Sequence, residues 1–292
     1  MIINIIDNKK HNNVYDNWIT NYDWYRSKDT FHNNFPSNFK FTYWQEQNNQ
    51  VSIFITKGIF SVDEIESDIK IAIPSDLREF HGPIYSFIEQ NIEKFDRVIT
   101  YDERLISLFP DKCFPSPAMK PWIWPKEKQQ IYPKSKLCSF ITSKKKFIPG
   151  HEFRVSMLDN ILVNYKDKID CFGEGHNPLP EEEGKLLGLA DYAFSISMEN
   201  HQSNYYFSEK LLDVILTGAI PIYWGCLNIP KYFNPDGFLF FNSKEELFNI
   251  IDNLSMDLYK SKLKAVKENF DICKSNYIDN FYYFVKNGTE WI

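Results

Sequence analysis

Short β-branched runs alternate with segments of helical period along this chain, and the alternation happens twice. MIINIID (1–7), VSIFIT (51–56), IKIAIP (69–74) and RVITYD (97–102) each read as a strand, and IYSFIEQNIEKF (84–95) reads as a helix. Between the first two runs, Tyr15, Trp18, Tyr22 and Tyr25 recur at three- and four-residue spacing, one face of a helix. Core packing explains that stripe, and a stacking platform for sugar faces is the alternative. Strands separated by helices demand crossover connections, so the pattern predicts an α/β architecture with a parallel sheet.

A break follows. FPSPAMKPWIWPKEKQQIYPKSK carries Pro115, Pro117, Pro121, Pro125 and Pro133, which fix extended backbone and forbid a regular helix. Trp122 and Trp124 lie within it, placed either to line a cleft or to pin the connection. Beyond it the alternation restarts. KLCSFIT, KIDCFG, YAFSIS, AIPIYWG and GFLFF read as strands, while HEFRVSMLDNILVNYK, SEKLLDVILTG and KEELFNIIDNL read as helices. Pro221 cannot donate to a ladder, so the AIPIYWG strand is expected to begin at or after it. At 292 residues the chain is long enough for two cores. The expected division is a first domain over 1–125, a second over 126–275 and a helical, aromatic tail over 276–292 that packs on the body.

Composition excludes several classes. A net charge of −6 argues against wholesale binding to nucleic acid or to an anionic membrane, and leaves room for a local basic pocket. The five cysteines are scattered and include no C-x-x-C pair, which fits neither a disulfide framework nor a zinc knuckle. No run approaches the ~18 apolar residues of a membrane span. A cytoplasmic, unanchored protein is the expectation.

The chemistry concentrates in SMENHQSNYYFSEKLLDVILTGAIPIYWG, from Ser197 to Gly225. Ser208 suits an N-cap and Gly218 a C-terminal stop for a helix that must be buried, which puts Glu209 and Lys210 in its first turn. A lysine is mildly unfavourable at the positive end of a helix dipole, so something negative is expected to offset it. The spacing alone leaves two readings: a lysine paired with a neighbouring glutamate, or one that joins the free N–H groups to hold an anion such as phosphate.

Glu199, Asn200, Gln202, Tyr206, Ser208, Glu209 and Lys210 form E-N-x-Q-x-x-x-Y-x-S-E-K, followed directly by the apolar helix and IPIYWG. This run resembles the donor-site signature of glycosyltransferase family 10, the fucosyltransferases. The similarity extends to Phe194, to KLCSFITS, to the arginine in GHEFR and to PKYFNPDGFLFF; it covers the second domain, and the first matches only in layout. The resemblance implies a GT-B fold, two Rossmann-like domains facing across a cleft, with the nucleotide sugar held by the second. It implies inverting transfer of L-fucose from GDP-fucose, the donor substrate, to an acceptor glycan, as in α-1,3-fucosyltransferases. Arg154 and Lys210 would neutralise the diphosphate, Glu209 would hold donor hydroxyls, and Asn200 and Tyr206 would line the nucleotide pocket, with Glu199 and Ser208 completing the donor site.

Fixed cations aimed at a leaving diphosphate stabilise the transition state more than the ground state. The aspartates include no D-x-D pair for Mn²⁺ or Mg²⁺, so neither a metal nor another cofactor is expected. Inverting transfer also needs a base. Family members place a glutamate just after a strand of the first domain; here IKIAIP runs into SDLREFHG, which puts the position on Asp76, with Glu79 second. Aspartate departs from the family pattern by one methylene, and Asp76 also suits a plain turn cap. His81 stands close by as an assisting group or a surface residue. Lys144, Lys145 and Lys146 follow the second domain's first strand, either drawing in the donor or forming a solvated loop. Two rivals remain: the same clamp with another nucleotide sugar, and a non-catalytic glycan- or nucleotide-binding protein.

Overall fold

The computed structural model describes residues 2–6, 40–43, 45–47, 49–74, 77–116, 121–123, 126–180 and 184–276. The aromatic segment at 15–25, Asp76, Trp124 and all of the expected tail except Asn276 lie outside them. The chain forms two units, the first built on Met1–Ala118 and the second on Met119–Ile278.

In the first unit, β1 (Ile2–Ile6), β2 (Lys40–Tyr43), β3 (Asn49–Ile55), β4 (Ser67–Ile73), β5 (Arg97–Thr100) and β6 (Cys113–Pro115) form one sheet. Its order is β2-β1-β3-β4-β5-β6, every pairing parallel. Phe54, Ala72, Val98, Ile84, Tyr85 and Ile88 meet in its core. The helix expected from Ile84 starts earlier and spans Arg78–Gln90. Leu77 O accepts the N–H groups of Phe80 and His81 to make its first turn, and backbone at His81 (φ −130°, ψ 39°) kinks it beside Pro83. Arg78 fixes that turn by donating from Nε and Nη2 to the two Asp102 oxygens, each at 2.7 Å. A long-range pair of this kind leaves no mark in local hydrophobic period.

The second unit holds β7 (Lys136–Ile141), β8 (Ile169–Phe172), β9 (Tyr192–Met198), β10 (Ile220–Trp224) and β11 (Leu239–Phe240). They are parallel in the order β11-β10-β9-β7-β8. Both sheets thus place their first strand between the second and third, the doubly wound order. All seven residues of β9 are buried. Met157, Leu158 and Ile161 of the Pro149–Asn164 helix join a core with Phe140, Phe194 and Ile222, while Leu211, Leu212 and Ile215 join a separate one with Tyr223, Phe233 and Phe238. All five cysteines are buried thiols, and burial pushes that of Cys171 up to about 11.

Pro221 corrects one expectation. It lies inside β10, in register with Ser195, rather than at or before its start. Tyr223 O accepts from Phe241 N on the β11 side and Trp224 O from Glu199 N on the β9 side, so Pro221 turns its nitrogen toward β11. The β11 ladder begins only at Ile222, and the missing N–H therefore interrupts nothing.

Asp213 has a role that the sequence reading of LLDVIL did not assign. Fully buried in its helix, it accepts the main-chain N–H groups of Trp122 and Ile123 at Oδ1, 2.8 and 3.0 Å away, and the Lys185 ammonium at Oδ2, 2.7 Å away. The connecting segment is thereby fastened to the second unit ahead of the expected boundary at 125. Asp213→Ala would strand an ammonium and two N–H groups, and a loss of about 3 kcal/mol is expected in urea unfolding; an unchanged midpoint would refute this anchoring role.

Candidate functional site

In a doubly wound sheet, ligands bind beyond the carboxyl ends of the strands where the strand order reverses. Here the reversal lies between β7 and β9. The segment after β7 leads into the Pro149–Asn164 helix, which carries Arg154, and β9 runs into Glu199 and Asn200. The two segments touch at Gly150, where a Cβ would stand 2.0 Å from the Asn200 carbonyl oxygen. Only glycine permits that approach.

Arg154 is 5% exposed and donates from Nη1 to Asn200 Oδ1 at 2.7 Å, while its Nε is buried without a hydrogen-bond partner. Burial pulls its pKa down, and Glu199, Tyr206 and Glu209 pull it back up. A guanidinium stays charged at any working pH, so this N–H is a donor held ready in a dry site. His151, one turn before Arg154, is buried as well; burial and then the Arg154 charge hold its pKa below the ordinary value, which favours neutral imidazole.

The loop after β9 returns to the sheet through Glu199. Its Oε1 accepts Ser208 N at 2.8 Å and its Oε2 accepts Ser208 Oγ at 2.5 Å. Ser208 then caps the Glu209–Leu216 helix, with Oγ accepting Lys210 N at 3.3 Å. Gly218, at φ +75°, follows the last turn, and its N–H returns to Ile215 O. Ser208 and Gly218 thus serve as the two stops that the sequence marks.

Lys210 Nζ lies 3.0 Å from Glu209 Oε1, 3.2 Å from Ser208 Oγ and 4.0 Å from Glu199 Oε2. The negative partner expected for it is therefore at hand in these two glutamates. Burial works to raise the Glu209 pKa, yet Lys210 and Lys185 together outweigh it and hold the carboxyl at about 2. Glu199 goes the other way: wholly buried, it titrates above its ordinary value because burial outweighs Lys210. Tyr206 is buried, and its N–H donates to Ser203 Oγ at 3.1 Å.

The structure thus gathers Arg154, Asn200, Tyr206, Glu199, Ser208, Glu209 and Lys210 around one loop and one helix start. Lys144, Lys145 and Lys146 are exposed, with Lys145 paired to Glu174 at 3.2 Å. Glu79 belongs to the first unit, exposed in the first turn of the Arg78–Gln90 helix beside the Arg78–Asp102 pair. Lys185, Asp213 and His151 escaped the sequence reading. A carboxylate inside an apolar helix was the available signal for Asp213; Lys185, after a run of three glutamates, gave none. Among the described residues, no group of three or more His, Cys, Asp or Glu could hold a metal ion, and no helix is long and apolar enough to cross a membrane.

Residues 131–267 match the profile of the glycosyltransferase family 10 (fucosyltransferase) C-terminal domain. An alpha-(1,3)-fucosyltransferase of Helicobacter pylori is 41% identical over 51 residues, 18% of this chain and 11% of that protein. An alpha-(1,4)-fucosyltransferase of Arabidopsis thaliana is 27% identical over 118 residues, 38% of this chain and 29% of that protein. The matched segments thus span less than a third of these relatives. A crystal structure of an alpha1,3-fucosyltransferase with GDP superposes with a TM-score of 0.58 at 18% identity, covering 96% of this chain and 93% of that one. The architecture is the GT-B fold, with two Rossmann-like α/β units. Over residues 131–267, this chain is thus similar to the C-terminal domain of glycosyltransferase family 10, the fucosyltransferases.

Glu209 supplies a pH signature. Its folded pKa lies below the ordinary 4.5, so its ionised form stabilises the fold above that value, and the contribution is lost as pH falls toward about 2. Glu209→Gln is expected to lose less stability than the wild type between pH 5 and 3 in chemical denaturation, and parallel curves would contradict the assignment.

Proposed function

We propose that this protein is an inverting glycosyltransferase that moves L-fucose from GDP-fucose to a hydroxyl of an acceptor glycan, in the manner of α-1,3-fucosyltransferases. One observation carries the reading. A buried arginine with an unpartnered Nε stands beside Asn200 and takes part in the same electrostatic cluster as Glu209, which opens a capped helix beside Lys210. A diphosphate supplies what Arg154 lacks, acceptor oxygens for its unpartnered Nε, and it brings negative charge within reach of Lys210.

The chemistry follows from where charge develops. As the bond between the anomeric carbon and the β-phosphate oxygen breaks, negative charge grows on the GDP leaving group, and Arg154 and Lys210 stabilise it. In this reading Arg154 and Lys210 neutralise the diphosphate in the role a metal ion would otherwise play, which supports transfer without a metal. Glu209 accepts hydrogen bonds from the sugar hydroxyls, and Asn200 and Tyr206 line the nucleotide. The acceptor oxygen attacks the face of the anomeric carbon opposite GDP and passes its proton to Asp76, with Glu79 as the second candidate. In this reading residues 1–125 take the acceptor, residues 126–275 take the donor, and the reaction runs in the cytoplasm.

A second reading keeps the site and changes the sugar, because Arg154 and Lys210 recognise phosphate and not the hexose. Transfer assays across GDP-, UDP- and dTDP-sugars separate the two. Turnover is expected with GDP-fucose and in the presence of EDTA, and Arg154→Ala and Lys210→Ala are each expected to lower kcat/KM by about 10²–10³-fold. Turnover of another donor in preference to GDP-fucose, or wild-type rates in both variants, would overturn the proposal.

A further inference from the structure

Lys185 lies in the short helix Gly184–Leu187 and has no part in the donor contacts assigned above. Its ammonium stands 2.7 Å from Asp213 Oδ2, 3.9 Å from Glu209 Oε1 and 4.3 Å from the centroid of the Trp122 ring. The last of these is a cation–π distance. Trp122 is itself held by its main-chain N–H on Asp213 Oδ1, so the carboxylate that grips the lysine also fixes the ring that covers it. Lys210 approaches the same Glu209 oxygen, at 3.0 Å, from a more exposed position: its side chain is 25% exposed against 17% for Lys185.

Two lysines thus share one oxygen of a carboxylate that is almost wholly buried. Only one of them stands at the N-terminal turn where an anion would dock. A Lys210 that answers a diphosphate gives up part of its hold on Glu209. Without a second cation the carboxylate would be buried and unpaired, and a carboxylate in that state takes up a proton. A protonated Glu209 would present a donor where an acceptor is needed.

We propose that Lys185 is a positioning residue for recognition of the donor sugar: clamped by Asp213 and Trp122, it keeps Glu209 ionised and in place while Lys210 engages the diphosphate. The proposal rests on the fucosyl-transfer reading and assigns that site a specificity element. Lys185 acts through Glu209 and touches no substrate. Its effect therefore falls on ligands that carry the sugar and spares those that do not.

The test compares GDP-fucose with GDP. Lys185→Met is expected to raise KM for GDP-fucose by about tenfold or more while GDP affinity, measured by calorimetry, stays within about threefold. Lys185→Arg, which keeps the charge, is expected to recover most of the loss. Lys185→Met also leaves Asp213 without its cation. The same measurements are therefore made on Lys185→Met combined with Asp213→Asn, whose amide oxygen still accepts the Trp122 and Ile123 N–H groups. Equal losses for GDP and GDP-fucose in the folded variants, an unchanged KM for GDP-fucose, or no recovery with arginine overturns the positioning role. A wild-type protein that binds GDP but transfers no fucose overturns the transfer reading itself, and this proposal with it.

Discussion

The carboxylate of Glu199 takes two hydrogen bonds from Ser208, one from its N–H and one from its hydroxyl, and so closes the chain between them into a fixed loop. Its backbone is tied as well, through its N–H on Trp224 O at the end of β10. A Cβ on Gly225 would meet Glu199 Cγ at 2.5 Å, so glycine is what lets the carboxylate reach Ser208 at that depth. Every candidate donor contact is built from this grip. It places Ser208 to cap the helix, sets Glu209 and Lys210 in the first turn, and holds Asn200 where Arg154 can donate to it.

Burying so many charges costs more than their mutual attraction returns unless each is paired. Asp213 is fully satisfied, by two N–H groups and one ammonium. Glu209 is shared by two lysines. Glu199 relieves its burial by binding protons more tightly and by accepting from Ser208. Arg154 is the member whose pairing is incomplete, with one amide oxygen for its Nη1 and nothing for its Nε. Stability alone gives no reason to keep a buried guanidinium half satisfied; recognition of an anion does.

Much of this was legible in the chain. β1, β3, β4, β5 and the five strands of the second unit, its helices at Pro149–Asn164, Glu209–Leu216 and Lys244–Asp252 and the Ser208 cap follow from periodicity and from cap chemistry, both of which are local, whereas β2, β6 and the Gly184–Leu187 helix did not show in the sequence pattern. The E-N-x-Q-x-x-x-Y-x-S-E-K run announced its cluster because its members are close in sequence. What stayed hidden depends on partners far along the chain. Arg78 starts its helix by reaching Asp102, 24 residues on. Asp213 looks like an intruder in an apolar helix until Trp122, 91 residues earlier, is seen to donate to it. Pro221 sits inside a strand because the neighbouring ladder starts one residue later, which only the register shows. Lys185 gained its meaning from three such contacts at once.

The central claim is that an anion docks at the start of the Glu209–Leu216 helix between Arg154 and Lys210. A crystal structure of the protein soaked with GDP tests it most directly. The account predicts diphosphate oxygens within hydrogen-bond distance of the Arg154 guanidinium and the Lys210 ammonium, with the base and ribose near Asn200 and Tyr206. Diphosphate density elsewhere on the protein, with Lys210 still on Glu209 and Arg154 Nε still unpartnered, would contradict it.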